Sequence, residues 1–198
     1  MKILFVSETH ESNVVWGKQA EFYLECLHNQ GHNVKYLVGE GIGDSDIKAE
    51  IVQTQDYSFF SAMSDEHRFL EAFRVAEKTG VERIIFSEVI QPQGLLLALD
   101  CYGKEPPFDI VFSICALSLY MRRPIYAKAF EKLLSLKALK RVVVHSNHPE
   151  TIKKKCTELG ILNSSKIVHV HNQIVEPLHL YENMLSREAA KEKLGLSA

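Results

Sequence analysis

Four apolar runs in this chain share one signature: a charged residue opens each and a serine closes it. They are Lys2 to Ser7, Arg83 to Ser87, Asp109 to Ser113 and Arg141 to Ser146. A fifth run, Lys166 to Val170, leads into His171-Asn172. A serine at the end of a buried run starts turns and caps helices well. It also offers a small hydroxyl that hydrogen-bonds a ligand and leaves room for it. In an open parallel sheet the carboxyl ends of the strands line up along one edge, and ligands bind in the crevice there. One such serine is most simply a turn former. A row of four points to a crevice lined by Ser87, Glu88, Ser113, Ser146 and Asn172, with Ser7 beside them.

The stretch after the first run, Glu8 to Trp16, is polar, and Gly17-Lys18 follow it where a helix is expected to begin. Backbone amides at a helix start can hold an anion, and Lys18 would add charge. No P-loop and no dinucleotide glycine triplet is present. Gly39, Gly41 and Gly43 follow a strand with no helix pattern after them and read as a flexible turn. His169 and His171 share one face of a strand, and His145 and His148 bracket a helix start. Neither pair has the carboxylate or cysteine beside it that a metal site needs, so no metal is expected. The catalytic residues stay unassigned.

These candidates must be held by regular elements. Ile3 to Val6, Ile84 to Phe86, Ile110 to Phe112, Val142 to Val144 and Ile167-Val168 are rich in β-branched residues and do not alternate with polar ones. Strands buried on both faces of a parallel sheet look this way. Val34 to Val38 fits a neighbouring strand, and Ile47 to Gln53 is a further candidate. Between them lie helical periods: Ala20, Tyr23, Leu24 and Leu27; Phe69, Ala72, Phe73 and Ala76; Phe130, Leu133 and Leu134; Ile152, Cys156 and Leu159. Pro149 suits a first helical turn, with Asn147 and Glu150 as a capping box, and Gly31 and Gly80 stand where helices stop. The pattern predicts one α/β domain with a mainly parallel sheet and helices on both faces.

The chain has 198 residues, 46% hydrophobic and 24% charged, which suits a single globular domain. A net charge of −2 argues against a nucleic-acid partner, apart from basic spots at Arg122-Arg123 and Lys153-Lys154-Lys155. Cys26, Cys101, Cys115 and Cys156 are too far apart for a zinc knuckle or a redox pair and read as reduced core thiols. The apolar stretch Leu95 to Leu99 is too short to span a bilayer, and no targeting segment is visible. A cytoplasmic location is expected, with room for peripheral contact at the inner membrane face.

The layout resembles the N-terminal domain of GT-B glycosyltransferases, in particular the retaining "group 1" family that uses nucleotide-sugar donors. Lys2 to Ser7 resembles the opening strand. Gly17, Ala20-Glu21, Leu24 and Gly31-His32-Asn33-Val34 resemble the glycine loop, first helix and second strand. Val142 to Ser146 resembles the late strand ending in serine. Lys166 to Asn172 resembles the strand running into an asparagine-glycine turn, here Asn172-Gln173. Ser186 to Leu196 resembles the segment leading into the second domain.

The resemblance implies a Rossmann-like domain over residues 1–180, shaping the acceptor side of a cleft. Residues 181–198 would be a linker or helix toward a C-terminal donor-binding domain that is missing here, carried by the same gene or by a partner subunit. It implies no tightly bound cofactor, a nucleotide-diphosphate sugar as donor, and a sugar or lipid-linked acceptor. Gly17 and Lys18 would face the donor's phosphates, with Arg122 and Arg123 as weaker candidates. A chain without its second domain is expected to be inactive. The alternative reading is a non-catalytic Rossmann-like subunit that recruits a partner through the same crevice.

Overall fold

A computed structural model describes residues 1–9, 15–40, 49–52, 65–87, 92–114, 124–145, 149–161 and 164–170. Strands and helices alternate: β1 (Lys2–Thr9), α1 (Val15–Asn29), β2 (Asn33–Glu40), β3 (Glu50–Ile51), α2 (Asp65–Thr79), β4 (Arg83–Phe86), α3 (Pro92–Tyr102), β5 (Asp109–Ile114), α4 (Pro124–Ser135), β6 (Leu139–His145), α5 (Pro149–Glu158) and β7 (Ile167–Val170). The seven strands form one sheet in the order β3-β2-β1-β4-β5-β6-β7. Every pair is parallel. This is the Rossmann-like α/β domain read from the sequence. The segment 181–198 and the end of the proposed domain, residues 171–180, lie outside the described residues.

Several boundaries differ from the sequence reading, and the strands do not all end at serines: β1 runs past Ser7 to Thr9 and β5 past Ser113 to Ile114. β6 starts at Leu139, two residues before Arg141, because a register shift at Ile110/Val111 lets Leu139 pair with Ile110. α1 starts at Val15 rather than at Gly17. Gly39 belongs to β2 and not to a turn, since β2 follows β1 as far as Glu40.

Handedness decides which face each helix covers. A right-handed crossover that moves one way along a sheet puts its helix on one face, and one that moves the other way uses the opposite face. The step from β1 to β2 runs opposite to the steps from β3 through β7. Accordingly α1 packs Ala20 and Leu24 on Phe5, Val34, Tyr36 and Val38. Helices α2 to α5 pack together on the other face, over Leu4, Val6, Ile84, Phe86, Ile110, Phe112, Val142 and Val144. The strands β4 to β6 are therefore unequally covered. Ile84, Ile110 and Val142 are buried, while Ile85, Val111 and Val143 on the α1 side are half-buried and Val168 is 40% exposed. The non-alternating runs suggested equal burial of both faces, and the structure corrects that.

The cysteine reading needs a similar correction. Cys156 is buried, but Cys26 is half-buried and Cys101 is exposed. Cys101 lies on α3, whose buried residues are Pro92, Gly94, Leu95, Leu96 and Ala98. Cys115 lies outside the described residues.

The helix-to-strand returns are tight. After α1 the amide of Gly31 donates to the carbonyl of His28 and that of His32 to Leu27. After α2, Gly80 and Val81 repeat this pair of bonds with Glu77 and Ala76. Both glycines hold a left-handed φ, 76° and 62°, which a side chain would strain. This is the Schellman closure, and it satisfies carbonyls that a helix end leaves open.

Charges finish the same edge. Arg83 Nη2 donates to Asp109 Oδ2 at 2.9 Å, and Lys140 Nζ lies 3.2 Å from Asp109 Oδ1. Partial burial would raise the pKa of Asp109, but the hydrogen bonds from Arg83 and Lys140 outweigh it and hold the carboxyl below its ordinary 3.8.

Two outcomes follow from this packing. Phe73 is fully buried and meets the rings of Phe86, Tyr102 and Phe108 at 6.4, 5.3 and 5.6 Å. Phe73→Ala should cost about 3–5 kcal/mol in urea unfolding. Asp109 has a lowered folded pKa, so its contribution is present above its ordinary 3.8 and is lost as pH falls through the folded value. The stability gap between wild type and Asp109→Asn should hold at neutral pH and close below that value, measured by urea titration across acid pH.

Candidate functional site

Because all the strands are parallel, their carboxyl ends share one edge. The strand order reverses between β1 and β4: the chain leaves β1 toward β2 and returns on the other side as β4. Such a switch point opens a crevice, since the adjoining connections leave in opposite directions.

The serines lie across that point. Ser7 pairs with Val38 in β1–β2. Val6 pairs with Phe86, and the amide of Ser87 donates to the carbonyl of Val6 at 2.8 Å, which sets Ser87 beside Ser7. Phe86 pairs with Phe112, so Ser113 comes next on β5. The three serines thus occupy adjacent strands, at positions belonging to the α1 side of the sheet. At the usual strand spacing the row spans about 10 Å. Ser7 is 5% exposed and Ser113 7%, whereas Ser87 is half-buried. The sequence placed these three at one edge, and the structure brings them together. Ser87 follows β4 rather than ending it.

Gly17 and Lys18 are the third and fourth residues of α1, the helix that follows β1 from this edge. Amides in the first turn of a helix have no acceptor within the helix. Glu88, Ser146 and Asn172 lie outside the described residues, as do Arg122 and Arg123.

Two further residues join the site. Ser113 pairs with Val143, and His145 is the next residue of that parity, at the end of β6. It is 4% exposed. Its Nε2 lies 3.3 Å from the hydroxyl of Tyr23 on α1, and the tautomer decides which group donates. Burial pulls the imidazole pKa below its ordinary 6.5, so the ring is neutral at pH 7. The Tyr23 ring also rests near Phe5, with centroids 6.2 Å apart. The sequence presented His145 as a residue near a helix start and Tyr23 as one apolar position of a helix. Nothing local joins two residues 122 positions apart.

This edge gathers three hydroxyls, an imidazole and a phenol, of which the Ser87 hydroxyl is less buried than those of Ser7 and Ser113. The described residues contain no helix long and apolar enough to cross a membrane.

No protein-family model matches the chain, and no curated protein is significantly similar to it. Among solved structures the chain is similar to a glycosyltransferase from Rickettsia africae ESF-5. The identity is 15% and the TM-score 0.50, over 100% of this chain and 50% of that one. It also aligns with MurG of Acinetobacter baumannii at 11% identity and a TM-score of 0.36, over 89% of this chain and 69% of that one. The chain therefore spans about half the length of the Rickettsia africae protein, and the two share a fold. The fold expected from the resemblance to the N-terminal half of a GT-B glycosyltransferase is the fold found.

The burial difference within the serine row yields a direct test. Ser113→Val removes a hydroxyl from a buried polar site and should cost about 1–3 kcal/mol. Ser87→Ala, at a half-buried position, should stay within about 0.5 kcal/mol of wild type. Urea unfolding of the two variants measures both.

Proposed function

We propose that this chain is the acceptor-side half of a glycosyltransferase. In this reading a sugar moves from a nucleotide-diphosphate sugar to a hydroxyl of a sugar or lipid-linked acceptor. A second α/β domain, in the same protein or a partner subunit, supplies most of the donor site. The observation that carries the reading is the row Ser7-Ser87-Ser113 at the β1/β4 switch point. The fold shared with half of a glycosyltransferase supports it.

The residues divide the work by their chemistry. Ser87 is the serine of the row with the most access, and its hydroxyl can donate to and accept from an acceptor hydroxyl. Ser7 and Ser113, largely buried, keep that part of the edge narrow and polar. In the transfer the bond from the sugar's anomeric carbon to the diphosphate breaks, one to the acceptor oxygen forms, and the acceptor's hydroxyl proton passes to the departing diphosphate. Negative charge gathers on the leaving diphosphate, and preorganised donors stabilise it. The first-turn amides near Gly17 and Lys18 are this chain's contribution to that charge. The remaining donor contacts belong to the second domain.

Two measurements test the proposal. The chain by itself should show no turnover with any member of a panel of nucleotide sugars. Turnover by the isolated chain would remove the need for a second domain. In the two-domain protein, Ser87→Leu should weaken acceptor binding roughly tenfold in a saturation-transfer titration, for one lost hydrogen bond and the added bulk. Its donor affinity should stay at the wild-type value. Unchanged acceptor binding would take the serine row out of the site.

A further inference from the structure

The Tyr23–His145 contact does something that the apolar packing of α1 does not. The buried apolar residues of α1 rest on β1 and β2. The hydroxyl of Tyr23 reaches His145 on β6, and β4 and β5 lie between β1 and β6 in the sheet. Thus the helix whose first turn follows the crevice is held on both sides of the switch point, by apolar burial on one side and a phenol–imidazole contact on the other. Burial of Ala20 and Leu24 does not respond to pH. An imidazole does.

We propose that the Tyr23–His145 pair is a protonation-sensitive tie that holds α1 across the crevice and releases it from β6 when His145 takes up a proton. The imidazole is almost fully enclosed, at 4% exposure, and that burial lowers its affinity for a proton. In a locally opened state the ring is hydrated and binds the proton at its ordinary strength. By linkage, acid then draws the protein toward the opened state. Local opening around Tyr23, at the middle of α1, costs less than global unfolding.

The sign is fixed by the direction of the shift. The folded value lies below 6.5, so the tie is intact above that pH and weakens as pH falls below it. Tyr23 from α1 contacts the ring, Ser113 holds the neighbouring position of the same parity on β5, and Val170 is the register partner of His145 on β7. None of these three titrates between pH 5 and 7, since a phenol loses its proton only near 10. Protonated Nε2–H can still donate to the phenol oxygen. Where the phenol is the donor to Nε2, however, protonation removes its acceptor, so loss of that bond and hydration of the charged ring act together. The inference stands independently of sugar transfer.

The test uses the labelled full chain and needs no ligand. His145 and the α1 amides are followed by NMR from about pH 7.5 to about pH 5. His145 should titrate below 6.5, and the amides around Tyr23 should shift with the same midpoint. Their hydrogen exchange, corrected for intrinsic pH dependence, should quicken roughly fivefold or more across that titration. Tyr23→Phe should abolish the shared midpoint. His145→Gln, which keeps a hydrogen-bonding side chain, should leave α1 flat across the range. If that variant does not fold, Tyr23→Phe carries the comparison. Titration of His145 at its ordinary value, α1 amides that ignore its protonation, or Tyr23→Phe amides that still follow it would each overturn the proposal.

Discussion

Two parallel strands cannot be joined by a hairpin. Each connection must climb back over the sheet, and the right-handed twist of the strands makes it climb with one hand. Most of this molecule follows from that constraint. It sends every strand's carboxyl end to one edge. It places α1, which steps toward β2, on one face, and α2 to α5, which accompany the steps toward β7, on the other. It also makes the β1/β4 junction the place where adjacent connections part. The position of the switch point is not set by particular side chains but by the order in which strands are laid down.

The two edges of the sheet then take opposite chemistry. At the amino edge, returns such as 30–32 and 80–82 are three residues long and closed by glycine-centred hydrogen bonds. Arg83, Asp109 and Lys140 pair with one another there. Asp109 is thus held from two sides, while Arg83 Nε is buried without a hydrogen-bond partner among the described residues. At the carboxyl edge, three serines, a tyrosine and a histidine gather at the end of an otherwise apolar sheet. Burying polar groups costs stability unless they are hydrogen-bonded, and a parallel sheet does not need them there. Among the described residues they concentrate at the switch point.

The unequal covering of the sheet bears on the same edge. Among the described residues four helices sit on one face, and the half-buried row Ile85, Val111 and Val143 marks the other. On that face Tyr23 extends the reach of α1 past its own apolar footprint, and His145 receives it. The site and the lightly covered face therefore meet at one side chain. This explains how a single helix serves both as cover for β1 and β2 and as a border of the crevice.

The residues themselves determined a good deal. β-branched runs that do not alternate specify parallel strands, and the periods of α1, α2, α4 and α5 specify helices, because both signals are local and repeat within a few residues. A serine directly after an apolar run is equally local, so the edge occupied by Ser7, Ser87 and Ser113 was legible before any coordinates. Strand boundaries were less so: β6 begins at Leu139 because of a register shift against β5, and that shift belongs to the pair and not to either strand. Which face of β4 to β6 is fully covered depends on crossover direction, a property of strand order that no short window contains. The partnership of Tyr23 with His145 lies further still from local pattern. Each residue has an ordinary place in its own element, one as an apolar helix position and one as a strand end. Only the sheet, by stacking β1, β4, β5 and β6 side by side, brings a phenol and an imidazole 122 residues apart in the chain to 3.3 Å.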